Sequence, residues 1–125
     1  MSSAKKIIKC HIAGIPFGRD KVRGKLEGLS TWSSLIVEKT QNLGKIYGRC
    51  KLCVTFMLPP SKLPKDHPFG NDLDNLLKRF CDALGITVLS EAPGKDGAII
   101  NIEAKKIFVS SDKESGASFE ITELK

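Results

Sequence analysis

Two aspartates one residue apart, Asp72 and Asp74, followed by Lys78 and Asp82, are the side chains here whose types and spacing could do chemistry. They sit in Asp72-Leu73-Asp74-Asn75-Leu76-Leu77-Lys78, directly after a proline-rich stretch. Asp72 is suited to cap a helix and Asp74 to its first turn, so both carboxylates project from the helix start while the leucines turn inward. Asp74, Lys78 and Asp82 stand at i, i+4 and i+8, a single polar stripe. Magnesium prefers a few carboxylate oxygens together with waters and substrate phosphate, so three acids at a rim would suit it better than zinc or calcium. The same residues also have an ordinary explanation. Acids in a first turn stabilise the helix dipole, and Asp74 with Lys78 is a favourable pair worth a few tenths of a kcal/mol. A further acid must reach the pair for a metal reading to prevail. Asp96 is the best third acid and Glu91 its competitor, and spacing does not choose between them.

The elements that must hold these acids can be read in outline. Lys5 to Ala13 predicts a first strand, stopped by Gly14-Ile15-Pro16-Phe17-Gly18. A basic, glycine-containing connector spans 19–28. Ser30 or Thr31 caps a predicted helix reaching about Leu43, with Trp32, Leu35, Ile36 and Leu43 at helical spacing and Gly44 as the stop. Trp32 reads as a core anchor. Leu52, Val54 and Phe56 alternate with polar or small neighbours in a half-buried strand over 47–58. Prolines break the chain over 59–71. The helix from Asp72 then carries the stripe Leu73, Leu76, Leu77, Phe80 and Leu84 up to Gly85. Beyond it come a possible short strand at 86–89, turns at Pro93-Gly94 and Asp96-Gly97, a long strand at 99–109, a hairpin connection at 112–116 and a last strand at 117–123. This order predicts an α+β domain, a mixed β-sheet with two main helices packed on one side.

A chain of 125 residues, 41% hydrophobic and 27% charged, suits one domain covering 1–125. It contains no apolar run long enough for a membrane span and no apolar stretch behind its basic start, so a soluble cytoplasmic protein is expected. The net charge of +6 is unevenly spread: residues 1–65 hold 13 Lys/Arg against 3 Asp/Glu, and residues 66–125 hold 7 against 11. A basic half suits a polyphosphate partner and an acidic half suits metal ions. Cys50-x-x-Cys53 is half of a zinc spacing, but the other half is missing and an odd offset on a strand sends the two thiols to opposite faces. Reduced core or surface thiols are expected for all four cysteines.

The motif Asp72-Leu73-Asp74-Asn75-Leu76-x-Lys78, then Asp82-Ala83-Leu84, then Asp96 leading into an apolar strand with Lys105-Lys106, resembles the signature of RusA-type Holliday-junction resolvases, over essentially the whole chain. The resemblance implies an endonuclease that acts as a homodimer on four-way DNA junctions, cutting symmetric strands with Mg2+, for which Mn2+ could substitute. It implies Asp72, Asp74 and Asp96 as the metal-binding catalytic acids and Lys78 as a catalytic lysine. One departure is that Lys95 precedes Asp96, where the family often has an acidic pair.

Hydrolysis of a phosphodiester by water requires an activated nucleophile and neutralised transition-state charge; metal ions supply both without a protein nucleophile. Lys78 could stabilise that charge. Arg19, Lys21, Arg23 and Lys25 in the first loop, with Lys62 and Lys65 in the second, are expected to hold DNA arms through phosphate. Phe69 is a candidate wedge for unstacking bases at a junction, against ordinary loop packing. His67 is a lesser candidate for DNA contact, and His11 reads as a surface residue. Competing readings are a non-catalytic nucleic-acid-binding protein of the same fold and a metal-dependent phosphohydrolase acting on small molecules.

Overall fold

The computed structural model describes residues 6–16, 27–59 and 72–124, with side chains in the first helix from Trp32 onward. Four strands and two principal helices follow in the order β1 (Ile7–Ala13), α1 (Glu27–Thr40), β2 (Cys50–Leu58), α2 (Leu73–Ile86), β3 (Ile99–Phe108) and β4 (Gly116–Glu123). The strands form one mixed sheet in the order β1-β4-β2-β3. β4 runs antiparallel to both β1 and β2, while β2 and β3 are parallel. β1, β2 and β3 therefore all point one way, joined by crossovers through α1 and α2. Both crossovers advance in the same direction across the sheet, so a common handedness puts both helices on the same face. The fold is α+β, as expected.

Alternation along the strands builds the core between that face and the helices. In β2, Cys50, Leu52, Val54, Phe56 and Leu58 are buried while Lys51, Cys53, Thr55 and Met57 are only partly so. Ile8 and Ile12 of β1, Ala117, Phe119 and Ile121 of β4, Trp32 and Ile36 of α1, and Leu76, Phe80 and Leu84 of α2 join the same cluster. Phe80 anchors α2 by meeting Phe56 and Phe119 edge to face, with ring centroids 5.8 and 5.1 Å away. The opposite face of the sheet is polar. It carries the ion pairs Lys9–Glu120 and Lys51–Glu103, and His11 Nδ1 lies 2.8 Å from Ser118 Oγ. Cys50 and Cys53 do part to opposite faces, and Cys10, Cys50, Cys53 and Cys81 are all free thiols.

Several local expectations are corrected. α1 starts at Glu27, so Ser30 and Thr31 lie within the helix instead of capping it. It ends at Thr40, whose hydroxyl donates to Ile36 O at 2.7 Å and lies 2.7 Å from Thr87 Oγ1, a buried polar bridge between α1 and the turn after α2. Residues 87–92 form successive turns and no strand: Leu89 N donates to Leu84 O, Ser90 N to Thr87 O and Ala92 N to Leu89 O. Val88 and Leu89 are apolar because they close the end of the core, and both are fully buried. Lys45 fastens this turn, its Nζ donating to Thr87 O and to Ser90 Oγ at 2.7 Å each.

The largest correction concerns β3 and β4, which are not a hairpin. The chain passes over β2 and inserts β4 between β1 and β2. β4 has the Ala-x-Phe-x-Ile pattern that can fill an interior position, whereas β3 is largely exposed along its length and takes the edge. Among the described residues, no helix is long and apolar enough to cross a membrane.

Candidate metal and phosphate site

α2 begins where the backbone of Asp72 is extended, at φ −60° and ψ 139°, and its carbonyl accepts the first helical bond, from Leu76 N at 3.1 Å. Asp72 therefore occupies the capping position, but its side chain makes no capping hydrogen bond. Capping is the ordinary use of an aspartate here, and this carboxylate is not spent on it. Asp74 is exposed in the first turn, and Lys78 and Asp82 are exposed further along the same stripe. Among the described residues, Asp74 and Lys78 form no ion pair with each other. The two aspartates thus stand at the end of a helix whose direction is fixed by the Phe80 anchor, with Lys78 one turn below.

Asp96 is held at the other end of α2. Gly94, at φ 75°, and Lys95, at φ 53°, turn the chain into a short 3-10 helix, Lys95–Ala98, that leads into β3. This turn seats on Gly85, where a Cβ would lie 3.7 Å from Asp96 N and 3.8 Å from Asp96 Cβ. Three helical turns, about 16 Å of rise, separate Asp74 from Gly85, and the two positions share a side of the helix. The Cβ atoms of Asp74 and Asp96 are therefore at least about 12 Å apart. Two carboxylates sharing one magnesium ion, each with an oxygen about 2.1 Å from it, keep their Cβ atoms within roughly 9 Å. Within one chain, Asp96 does not join Asp74 on a single ion. No group of three or more His, Cys, Asp or Glu side chains is assembled for a metal among the described residues.

Asp96 instead lies closer to Asp82. Burial pushes the Cys81 thiol up to about 12, and the negative charges of Asp96 and then Asp82 add to that effect. The grouping of Asp82 with Asp96 was not anticipated from the sequence, although Asp82-Ala83-Leu84 belongs to the motif that singled out this helix. Glu91, the alternative third acid, is exposed in the turns that follow α2, also away from Asp72. His11 is exposed on β1, as expected of a surface residue.

The pair Asp72 and Asp74 can supply two carboxylates to magnesium, whose shell waters and phosphate oxygens commonly complete, but among the described residues no third acid is brought to it within one chain. Arg19, Lys21, Arg23, Lys25, Lys62, Lys65, His67 and Phe69 lie outside the described residues. No known family model matches the chain, and no curated protein matches it.

Proposed function

We propose that this chain is a magnesium-dependent, structure-specific endonuclease of the RusA kind that resolves four-way DNA junctions as a homodimer in recombination and repair. The observation that carries the reading is the Asp72–Asp74 pair at the start of α2. Asp72 leaves its carboxylate unused by the cap, and Lys78 follows on the exposed stripe.

Bound magnesium would activate water and neutralise charge on the phosphate under attack. Asp72 and Asp74 would hold the ion, and their position at the end of an anchored helix supports that role. Lys78 would offer its ammonium group to the same phosphate and stabilise its growing negative charge. Arg19, Lys21, Arg23, Lys25, Lys62 and Lys65 bind the DNA arms through phosphates, and Phe69 wedges between bases at the crossover.

The homodimer has two reasons. A four-way junction is nearly two-fold symmetric, and cutting two equivalent strands calls for two acid pairs. The distance of Asp96 from Asp74 supplies the second. A two-fold axis perpendicular to α2 reverses the second copy, carrying its Asp96 end toward the Asp72 end of the first, where it can serve as the third acid.

Cleavage of a synthetic four-way junction, with and without magnesium, tests the proposal. Wild-type protein should cut symmetric strands only with the metal, and Asp74→Asn should abolish cutting while junction binding stays within about threefold. Binding without cleavage by the wild type would favour a non-catalytic DNA-binding protein. Hydrolysis of small phosphate esters with no salt-sensitive DNA binding would favour a phosphohydrolase.

A further inference from the structure

β3 ends the sheet, and among the described strands its ladder partner is β2. It is ten residues long, and a long edge strand is an open template for pairing unless something covers it. Of the eight large hydrophobics that stand exposed among the described residues, four lie on this strand, including Ile100, Ile102 and Ile107 at 57%, 42% and 43%. An edge kept solitary in solution would be expected to carry charge in those places. Between the isoleucines, Glu103 and Lys105 project from the polar face of the sheet, both exposed.

We infer that β3 pairs antiparallel with β3 of a second copy, in the register that sets Ala104 opposite Ala104, so that two sheets join into one of eight strands. Symmetry and charge select this register together. A two-fold axis through an antiparallel pair of identical strands is perpendicular to the sheet and keeps both helix layers on one side. Centred on Glu103, the pairing sets glutamate against glutamate; centred on Lys105, it sets lysine against lysine. Centred on Ala104, it sets Glu103 of each copy opposite Lys105 of the other, two attractive cross-strand pairs. Glu103 bridges to Lys51 through Oε2, and its side chain remains 66% exposed. The other edge has no such solution. β1 reads IIKCHIA, with Lys9, already paired with Glu120, and no acid, so self-pairing sets up no cross-strand pair of opposite charge.

The inference rests on the proposed homodimer to the extent that it names that dimer's surface. Its axis runs perpendicular to the sheet, which reverses the direction of the second copy's α2 relative to the first. It is tested without DNA. By light scattering, the wild type should have twice the chain mass, and Lys105→Glu and Glu103→Lys should each have the mass of one chain. Mixing these two variants should restore the double mass, because the acidic strand of one then faces the basic strand of the other. The charge swap Glu103→Lys with Lys105→Glu in one chain should restore it too. Circular dichroism of each variant guards against loss of fold, and Ala104→Cys should give an intermolecular disulfide under mild oxidation even if a charge variant fails to fold. A monomeric wild type overturns the inference, as does a dimer that both single variants retain or that mixing does not restore. If the pairing fails while junction cleavage persists, the nuclease reading stands without this surface. If the pairing holds and no junction is cut, that reading falls alone.

Discussion

Adding one methyl group at two glycines should change stability in opposite directions. At Gly116 the backbone has φ 151°, a conformation side chains rarely adopt, and a Cβ there would lie 2.2 Å from Ile12 O on the neighbouring strand. A carbon and a carbonyl oxygen normally approach to about 3.3 Å, so β1 would have to withdraw by roughly 1 Å. That would break the Ala13–Gly116 end of the ladder and the adjacent Gly14 N to Ser115 O bond of 3.3 Å. Backbone strain of about 1–3 kcal/mol and one lost hydrogen bond near 1 kcal/mol give a cost of roughly 2–4 kcal/mol for Gly116→Ala. At Gly85 the backbone is helical and the nearest atoms to a Cβ are 3.7 Å away, an ordinary contact. Alanine exceeds glycine in helix propensity by about 1 kcal/mol, so Gly85→Ala should stabilise by up to that amount. Urea denaturation measures both. With a slope near 1.5 kcal/mol/M, Gly116→Ala should lower the midpoint by about 2 M and Gly85→Ala raise it by about half a molar. A Gly116→Ala variant within about 0.5 kcal/mol of wild type would refute the close approach of β1 to β4. A Gly85→Ala variant destabilised by more than about 1 kcal/mol would refute the seating of the Asp96 turn on α2.

Phe80→Ala should cost about 3–5 kcal/mol, and a double-mutant cycle of Phe56→Leu with Phe80→Leu should show a coupling of about 0.5–1.5 kcal/mol; additive effects would mean the rings do not meet. Stability should fall above pH 9. Burial, with the charges of Asp96 and Asp82, raises the folded Cys81 thiol from 9.0 to about 12, so the unfolded chain loses its proton first and the native state loses up to about 4 kcal/mol across that window. Cys81→Ala should flatten that part of the pH–stability curve, and an unchanged slope would remove Cys81 as the cause.

The sequence made the local half of this structure legible. Alternation in β2 located its buried face because a half-buried strand repeats every two residues, and the stripe from Leu73 to Leu84 located the inner face of α2 for the corresponding helical reason. The start of that helix followed from Asp72 after prolines. The place of β4 did not follow, because a short connection suggests a hairpin, whereas strand order depends on which strand needs neighbours on both sides. Ala117, Phe119 and Ile121 gave a signal for an interior strand, but only in comparison with the exposed β3. The location of Asp96 was hidden for a related reason. Its offset from Asp74 along the chain says nothing about which end of α2 the later turn returns to, and the contact with Gly85 decides that.

The insertion of β4 between β1 and β2 has a consequence for how the protein is made. β1 is synthesised first, yet its ladder partners, such as Thr122 for Ile7, come from β4. At about 5–20 residues per second, roughly 5–20 s separate the appearance of these two strands. During that time β1 can pair with nothing in its own final sheet, and the parallel unit of β2, α2 and β3 can form without it. Translation speed and chaperone occupancy over this interval are therefore part of the folding problem, and the chain joins its two halves only when its last strand slides into the gap.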